Sequence, residues 1–136
     1  MVVFHHLALN CHDVKAQEAF YANHFGFRRV RTFRAGRPDE FVMLRSGSVC
    51  LELFPAPSAQ GSQPGGEPAL GFRHMAFQVD DLNRAVKGLN DDGVRTEEIM
   101  DLSDLAAGLK ICFFHDPEGN RIEIMEGYQD EQPGTS

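Results

Sequence analysis

Apolar and polar residues alternate over several short stretches of this chain, and turn-forming residues separate the stretches. Residues 4–11 alternate with the two-residue period of a strand, so His6 lies on the face opposite the apolar side chains. Asp13 is a suitable N-cap for a helix that runs to about residue 24, and Gly26 is a suitable C-cap. Further strands are predicted at residues 28–34, 40–45 and 49–54.

The second half of the chain repeats the pattern of the first. The segment HHLALNCHD at residues 5–13 returns as RHMAFQVDD at residues 73–81, with His74 in the place of His6. The elements predicted for this half are a strand at residues 72–79, a helix from Asp80 or Asp81 to Gly93, and strands at residues 94–100, 110–115 and 120–126. A turn signal at residues 116–119 predicts that the last two strands form a hairpin.

The repeat predicts an α+β fold made of two βαβββ modules in tandem. We expect a single domain over residues 1–126 and a polar tail at residues 127–136. The first module spans residues 3–54, the second spans residues 72–126, and a Pro/Gly/Ser-rich linker at residues 55–71 connects them, as a plain connector rather than a lid. Because the helices must cover the apolar strand faces, the opposite faces of both sheets are free to curl around a shared metal-binding cavity.

Composition and charge exclude several classes of function. The formal net charge is −7, and an acidic chain repels the phosphate backbone, so nucleic-acid binding is not expected. No apolar run is long enough for a membrane span, and no secretory signal is recognisable, which predicts a cytoplasmic protein without membrane contact. The three cysteines, Cys11, Cys50 and Cys112, have no CxxC spacing, so we expect reduced thiols rather than disulfides or a thiolate zinc site.

One histidine and one glutamate in each module form the candidate metal site. Each module ends in an apolar–Glu–apolar triplet, which contains Glu52 in the first module and Glu123 in the second. These glutamates, with His6 and His74, lie on the strand faces opposite the runs of apolar residues. Two imidazoles and two carboxylates suit one divalent ion, such as nickel, zinc, cobalt, manganese or iron. The matched positions in both modules favour this interpretation over four separately solvated side chains.

Two further groups of side chains are open to a functional interpretation. Strand alternation is expected to turn His5 away from His6, which favours a structural role for it. The one basic cluster could receive the carboxylates of an anionic substrate, although a solvated strand surface is favoured. This cluster contains Arg28, Arg31, Arg34 and Arg37.

Several stretches of the sequence resemble one known superfamily over roughly residues 3–126. They are HLALNCHD with AFYANHFGF, then CLELF, GFRHMAFQVDDL and DPEGNRIEIME. Together they resemble the vicinal oxygen chelate superfamily, which includes glyoxalase I, bleomycin-resistance proteins, extradiol dioxygenases, methylmalonyl-CoA epimerases and fosfomycin-resistance transferases. The greatest resemblance is to small bacterial glyoxalase I-like (lactoylglutathione lyase-like) proteins.

The resemblance implies a metal-dependent lyase or isomerase of glyoxalase I type. His6, Glu52, His74 and Glu123 fall on the metal-ligand positions of bacterial glyoxalase I, and epimerases similar to this chain usually carry Gln where Glu52 stands. The implied reaction is proton transfer through a metal-stabilised enediolate, on a small α-oxo or thiol-adduct substrate, for which a glutathione adduct is one candidate. Glu123 is the first choice for the base, and Glu52 is the alternative.

The resemblance also implies a homodimer with one metal site per chain, in which each site is shared between subunits. His6 and Glu52 would come from one subunit, and His74 and Glu123 from the other. Two alternatives remain open for the function. One keeps the metal but changes the reaction to epimerisation, thiol transfer or dioxygenation, and the other is a non-catalytic protein that binds a drug or metabolite.

Overall fold

The computed structural model of the protein describes residues 1–58 and 71–131. Residues 1–58 with Asp116–Glu118 belong to a first compact unit, and residues 71–115 with 119–131 belong to a second. The first unit contains β1 (His6–Cys11), α1 (Val14–Phe25), β2 (Arg28–Phe33), β3 (Phe41–Ser46) and β4 (Val49–Pro55). The second unit contains β5 (Met75–Gln78), α2 (Leu82–Asp91), β6 (Met100–Asp101), β7 (Lys110–His115) and β8 (Arg121–Glu126).

Each unit consists of one mixed four-stranded sheet and one helix, which confirms the predicted α+β fold of two βαβββ modules. The strand order is β1-β4-β3-β2 in the first sheet and β5-β8-β7-β6 in the second. The first and last strands of each module pair in parallel, and the remaining neighbours are antiparallel. In the first sheet, this order places β1, which begins at His6, beside β4, which carries Glu52. In the second sheet, it places β5, which begins just after His74, beside β8, which carries Glu123.

The caps predicted from the sequence set the position of both helices. The Asp13 carboxylate accepts a hydrogen bond at 3.0 Å from a first-turn N–H of α1, and the Asp81 carboxylate does the same for α2. Gly26 ends α1 in the left-handed conformation, with φ of 67°, and its N–H donates to the carbonyl of Tyr21. Only glycine adopts this conformation without steric penalty, so the helix ends where the predicted cap stands.

Alternation along the strands separates a buried face from a site-bearing face in each unit. In β4, Leu51 and Leu53 are buried on either side of Glu52 in the sequence. In β8, Ile122 and Ile124 flank Glu123 in the same way. Complete burial of one such aliphatic side chain stabilises the fold by about 2 kcal/mol, which fixes the strand faces. Both glutamates are therefore held on the face opposite the aliphatic core.

Buried polar contacts hold Asp116–Glu118 against α1. The Asp116 side chain is almost fully buried, and its Oδ2 accepts hydrogen bonds from Gln17 Nε2 and Tyr21 Oη, both at 2.7 Å. The Glu118 carboxylate accepts hydrogen bonds from the two backbone N–H groups just before α1, at 2.9 and 3.0 Å. The sequence predicted only a turn at this point, so the anchoring of the turn to α1 is a structural finding.

Two predicted strands are wrong in extent. The strand predicted at residues 72–79 is confined to Met75–Gln78. The sequence predicted a strand at residues 94–100, whereas the structure has a strand only at Met100–Asp101 and an isolated bridge between Thr96 and Phe114. Residues 95–98 read Arg-Thr-Glu-Glu, which supplies no apolar face to bury. This segment therefore follows β7 at single points rather than as a continuous ladder.

The remaining sequence predictions fall partly outside the described residues. The stretch 59–70 of the predicted linker and residues 132–136 of the predicted tail belong to this group. Residues 127–131 of the tail are exposed, as expected. Among the residues that the structure describes, no helix combines the length and apolar character needed to cross a membrane.

Candidate metal centre

In the first unit, the pairing of β1 with β4 brings His6 beside Glu52. The parallel register sets Ala8 opposite Glu52 and His6 opposite Cys50, so the histidine and the glutamate are diagonal neighbours on one face. Nε2 of His6 lies 3.4 Å from Oε1 of Glu52. The Glu52 side chain is only 14% exposed, so its carboxylate is largely withdrawn from water, an environment in which a positive partner would stabilise it.

His5 contacts His6, and the prediction that it points away is wrong. The Nδ1 atoms of the two rings are 3.0 Å apart, and the rings meet edge to face with centroids 5.2 Å apart. Strand alternation does not apply to His5 because β1 begins only at His6. A hydrogen bond at Nδ1 leaves Nε2 of His6 directed at Glu52, which is how histidine ligands are commonly oriented. The adjacent pair of histidines was the only sequence signal for this contact.

In the second unit, His74 and Glu123 form a tighter pair of the same kind. His74 directly precedes β5, and the β5–β8 register sets Ala76 opposite Glu123. Nε2 of His74 lies 2.8 Å from Oε2 of Glu123, and their side chains are 24% and 14% exposed. Nδ1 of His74 is buried, and no described residue offers it a hydrogen-bond partner.

An aromatic ring and an arginine surround this second pair. Phe113 lies opposite Glu123 in the β7–β8 register, and its ring meets the His74 ring edge to face with centroids 5.4 Å apart. The guanidinium of Arg121 lies 3.9 Å from the centre of the Phe113 ring and also bonds the Glu97 carboxylate at 3.1 Å. Sequence reasoning missed both residues, although the predicted hairpin around residues 116–119 would have placed Phe113 opposite Glu123.

The two pairs occupy equivalent positions, and the nitrogen–oxygen distance within each pair suits two ligands of one metal ion. In each unit an alanine two residues after the histidine lies opposite the glutamate in the parallel register. Two donors about 2.1 Å from one ion and at right angles to each other are about 3 Å apart. The separations of 3.4 and 2.8 Å fit that requirement. Within the described ranges, no group of three or more His, Cys, Asp or Glu side chains is arranged so that it could hold a metal ion, and each unit contains one such pair.

The cysteines are free and buried, as the sequence predicted for reduced thiols. Burial, with smaller contributions from the carboxylates of Glu118, Asp116 and Asp13, raises the pKa of the Cys11 thiol to about 12. Burial likewise raises the pKa of Cys112. These two thiols are protonated at neutral pH and are therefore poor nucleophiles and poor metal ligands. Cys50 shares the face of Glu52 but is fully buried.

Comparisons of sequence and of structure both find known proteins that are similar to this chain over most of its length. A curated relative, uncharacterized protein YwkD of Bacillus subtilis, is 36% identical over 124 residues, which cover 90% of this chain and 94% of YwkD. A glyoxalase family protein from Enterococcus faecalis has 34% identity and a TM-score of 0.76, with 91% of this chain and 97% of that chain covered. Lactoylglutathione lyase from Agrobacterium tumefaciens has 25% identity and a TM-score of 0.64, with coverage of 92% and 93%.

The family profile described as glyoxalase/bleomycin resistance protein/dioxygenase superfamily matches residues 3–124, which include both histidine–glutamate pairs. The match thus spans β1 to the middle of β8 and takes in both helices. With the shared fold and the relatives above, this match establishes that the chain belongs to the glyoxalase/bleomycin resistance protein/dioxygenase superfamily.

Proposed function

We propose that the protein is a metal-dependent lyase or isomerase of glyoxalase I type, which moves a proton between adjacent carbons of a small α-oxo or thiol-adduct substrate. The observation that carries the proposal is the histidine–glutamate pair, repeated at the same register position in both units. A lactoylglutathione lyase of similar fold supports this choice of reaction within the superfamily. A glutathione adduct is one candidate substrate of this kind.

Four side chains would hold the ion: His6, Glu52, His74 and Glu123. The donor set of two imidazoles and two carboxylates suits nickel, zinc, cobalt, manganese or iron in the divalent state. The two carboxylates balance the charge of such an ion, which explains how both glutamates can be only 14% exposed. When bound, the ion supplies Lewis-acid stabilisation of the negative charge that develops on the substrate oxygens.

The protein's own contribution to the reaction is the proton transfer. Glu123 takes the proton from one carbon and returns it to the neighbouring carbon, with Glu52 as the alternative base. The Glu123 carboxylate is shielded from water and lies 2.8 Å from His74, whose ring is in turn held by Phe113. Burial among fixed neighbours keeps the carboxylate in one orientation and limits exchange of the abstracted proton with solvent.

Loading the protein separately with nickel, cobalt, manganese and zinc should give metal-dependent isomerisation of the methylglyoxal–glutathione hemithioacetal, with one ion bound per chain. His74→Ala should weaken metal binding by more than about 10²-fold, because loss of even an outer-sphere partner weakens binding 10- to 100-fold. Elemental analysis after dialysis and an absorbance assay of the thioester product measure both effects.

His115→Ala is the matched control for this experiment, because His115 is an exposed histidine at the end of β7 in the same unit. It should retain metal and activity. If metal-loaded protein gives no turnover, the reaction belongs to another branch of the superfamily. If His74→Ala binds metal as tightly as the parent, the assignment of ligands is wrong.

A homodimer with shared sites would make two inactive variants complement each other. In that arrangement His6 and Glu52 come from one subunit, and His74 and Glu123 from the other. Mixing His6→Ala chains with His74→Ala chains, followed by unfolding and refolding together, would then create heterodimers with one intact site. We expect activity to return in the mixture, and light scattering to give twice the chain mass. A monomeric mass, or a mixture as inactive as its components, would contradict the shared site.

A further inference from the structure

We infer that the face of the first sheet that carries Glu52, opposite the buried Leu51 and Leu53 and called the open face below, contains a binding site for an anionic group. The site is formed by Arg28, Arg31 and Arg45 beside the His6–Glu52 pair. The register of the four strands places these residues in rows. One row runs His6, Cys50, Arg45, Arg28 across the sheet, and the next runs Ala8, Glu52, Met43, Arg31. The inference depends on the proposed function only in taking this face as the one that meets substrate.

A β-bulge in β2 directs Arg31 to this face. The register passes from Arg29 opposite Leu44 to Arg31 opposite Met43, which leaves Val30 as the extra residue. Under strict alternation Arg28 and Arg31 would point to opposite faces, because they are three residues apart. The bulge places both on the face of Glu52 and leaves Arg29 on the helix side. Bulges that redirect a side chain in this way occur preferentially beside active sites.

The arginines on the two faces differ in their charge partners. On the helix side, Arg29 forms an ion pair with Glu18 of α1, and in the loop after β2, Arg34 bonds Asp39 at 2.6 Å. No carboxylate among the described residues pairs with any of the three arginines on the open face. In a chain of net charge −7, carboxylates are abundant, so this is a local positive patch in an acidic protein.

The like charges of Arg28 and Arg45 lie directly opposite each other in an antiparallel pair. Such a pair destabilises a sheet, whereas an arginine opposite a carboxylate would stabilise it. Arg45 is also half-buried, which increases the repulsion because less water screens it. An anion bound between the two guanidinium groups would remove this repulsion. The arrangement is therefore better suited to binding a ligand than to stabilising the free protein.

Strand spacing fixes how far this site lies from the metal-ligand pair. Neighbouring strands are about 4.8 Å apart, so the Cα atom of Arg31, two strands from Glu52 in the same row, lies about 10 Å from the Cα atom of Glu52. A third row contains Phe54, Phe41 and Phe33, whose rings stack at centroid distances of 4.3 and 4.6 Å. Arg31 is held over this row, with its guanidinium 5.3 Å from the Phe33 ring.

The ligand that fits these rows has three parts. A carboxylate or phosphate group binds at the arginines, an apolar or flat section covers the phenylalanine row, and the reacting carbons reach Glu52. Arginine binds both types of oxyanion by paired N–H donors, so the site alone does not choose between them. The predicted substrate is thus an anionic molecule about 10 Å long rather than a small neutral carbonyl compound.

Titration with inorganic phosphate and, separately, with succinate tests the site without any need for turnover. We expect one or both probes to shift the NMR signals of the arginine side-chain N–H groups of Arg28, Arg31 and Arg45. Saturation by succinate alone identifies a carboxylate site, and saturation by phosphate alone identifies a phosphoryl site. Arg31→Gln should weaken binding of that probe by at least about tenfold, since each charge-assisted hydrogen bond contributes about 1.5 kcal/mol or more and 1.4 kcal/mol is tenfold in affinity.

Arg37→Gln is the matched control, because it removes the same charge from an exposed loop of the same unit. It should leave probe affinity within twofold of the parent.

Arg28→Gln should lower probe affinity while leaving the Tm unchanged or higher, because it removes the opposed positive charges. A purely structural arginine would lower the Tm instead. Absence of any shift at the three arginines, or equal affinity in Arg31→Gln and Arg37→Gln, would overturn the inference. Turnover of the hemithioacetal without anion binding would leave the proposed function intact, and anion binding without turnover would leave this inference intact.

Discussion

Glu123→Gln should leave metal binding nearly intact and lower kcat for the hemithioacetal by about 10²- to 10⁴-fold, the range expected for loss of a general base. Glutamine keeps a carbonyl oxygen that can bind the ion, but it cannot accept a proton from carbon. The position suits this role, because Glu123 is largely shielded from water and lies 2.8 Å from His74. Metal content by elemental analysis and kcat from initial rates measure the two quantities independently.

Glu52→Gln is the matched control, since Glu52 has the same 14% exposure and the same register position in the other unit. If Glu123 is the base, Glu52→Gln should reduce kcat much less than Glu123→Gln. The reverse order would assign the base to Glu52, and full turnover in Glu123→Gln would eliminate Glu123. A loss of metal in either variant would show that the ligand role dominates, and kcat would then be compared at saturating metal.

The sequence repeat was sufficient to predict the architecture and both histidine–glutamate pairs. Alternation in β4 and β8 determines which face carries the two glutamates, and the flanking aliphatic residues leave no other choice of face. His74 directly precedes β5, so its position is predicted by the repeat, which sets it on His6. The caps at Asp13 and Gly26 were predictable for a local reason, because their side chain or backbone conformation acts within one helical turn. Features that depend on contacts of such short range can be predicted from the local sequence alone.

The features that sequence reasoning missed depend on contacts between strands or on local irregularity. The bulge at Val30 leaves no trace in the sequence, because residues 28–33 read as one uninterrupted strand. Only the register with β3 shows that Arg31 shares a face with Glu52 and that the cluster proposed from sequence divides. Arg34 forms an ion pair with Asp39 and is not part of the cluster. Arg45, on β3, lies on the same face as Glu52 instead.

Asp116→Ala should lower the free energy of unfolding by about 3 kcal/mol or more, which is a large share of the stability of a domain this size. Two buried donors, Gln17 Nε2 and Tyr21 Oη, would lose their acceptor, and each unsatisfied group costs about 1–3 kcal/mol. Burial, together with the Asp116 carboxylate, raises the pKa of Tyr21 far above its usual value. The tyrosine therefore remains a protonated donor over the whole working pH range. Urea unfolding followed by far-UV circular dichroism measures the loss.

The chain contains a matched control for this prediction in Tyr128 and Asp130, whose side chains form an exposed hydrogen bond of 2.9 Å. Asp130→Ala removes the same acceptor from a tyrosine hydroxyl that water can reach, so it should change stability by less than about 0.5 kcal/mol.

Tyr21→Phe should lower the free energy of unfolding by only about 1 kcal/mol, because Gln17 still donates to the Asp116 carboxylate. The sequence predicts residues 116–119 only as a hairpin turn, and if they had no other role, Asp116→Ala and Asp130→Ala would have equally small effects on stability. Equal effects would contradict the anchoring role, whereas a difference of several kcal/mol would show that this turn is part of the core packed on α1.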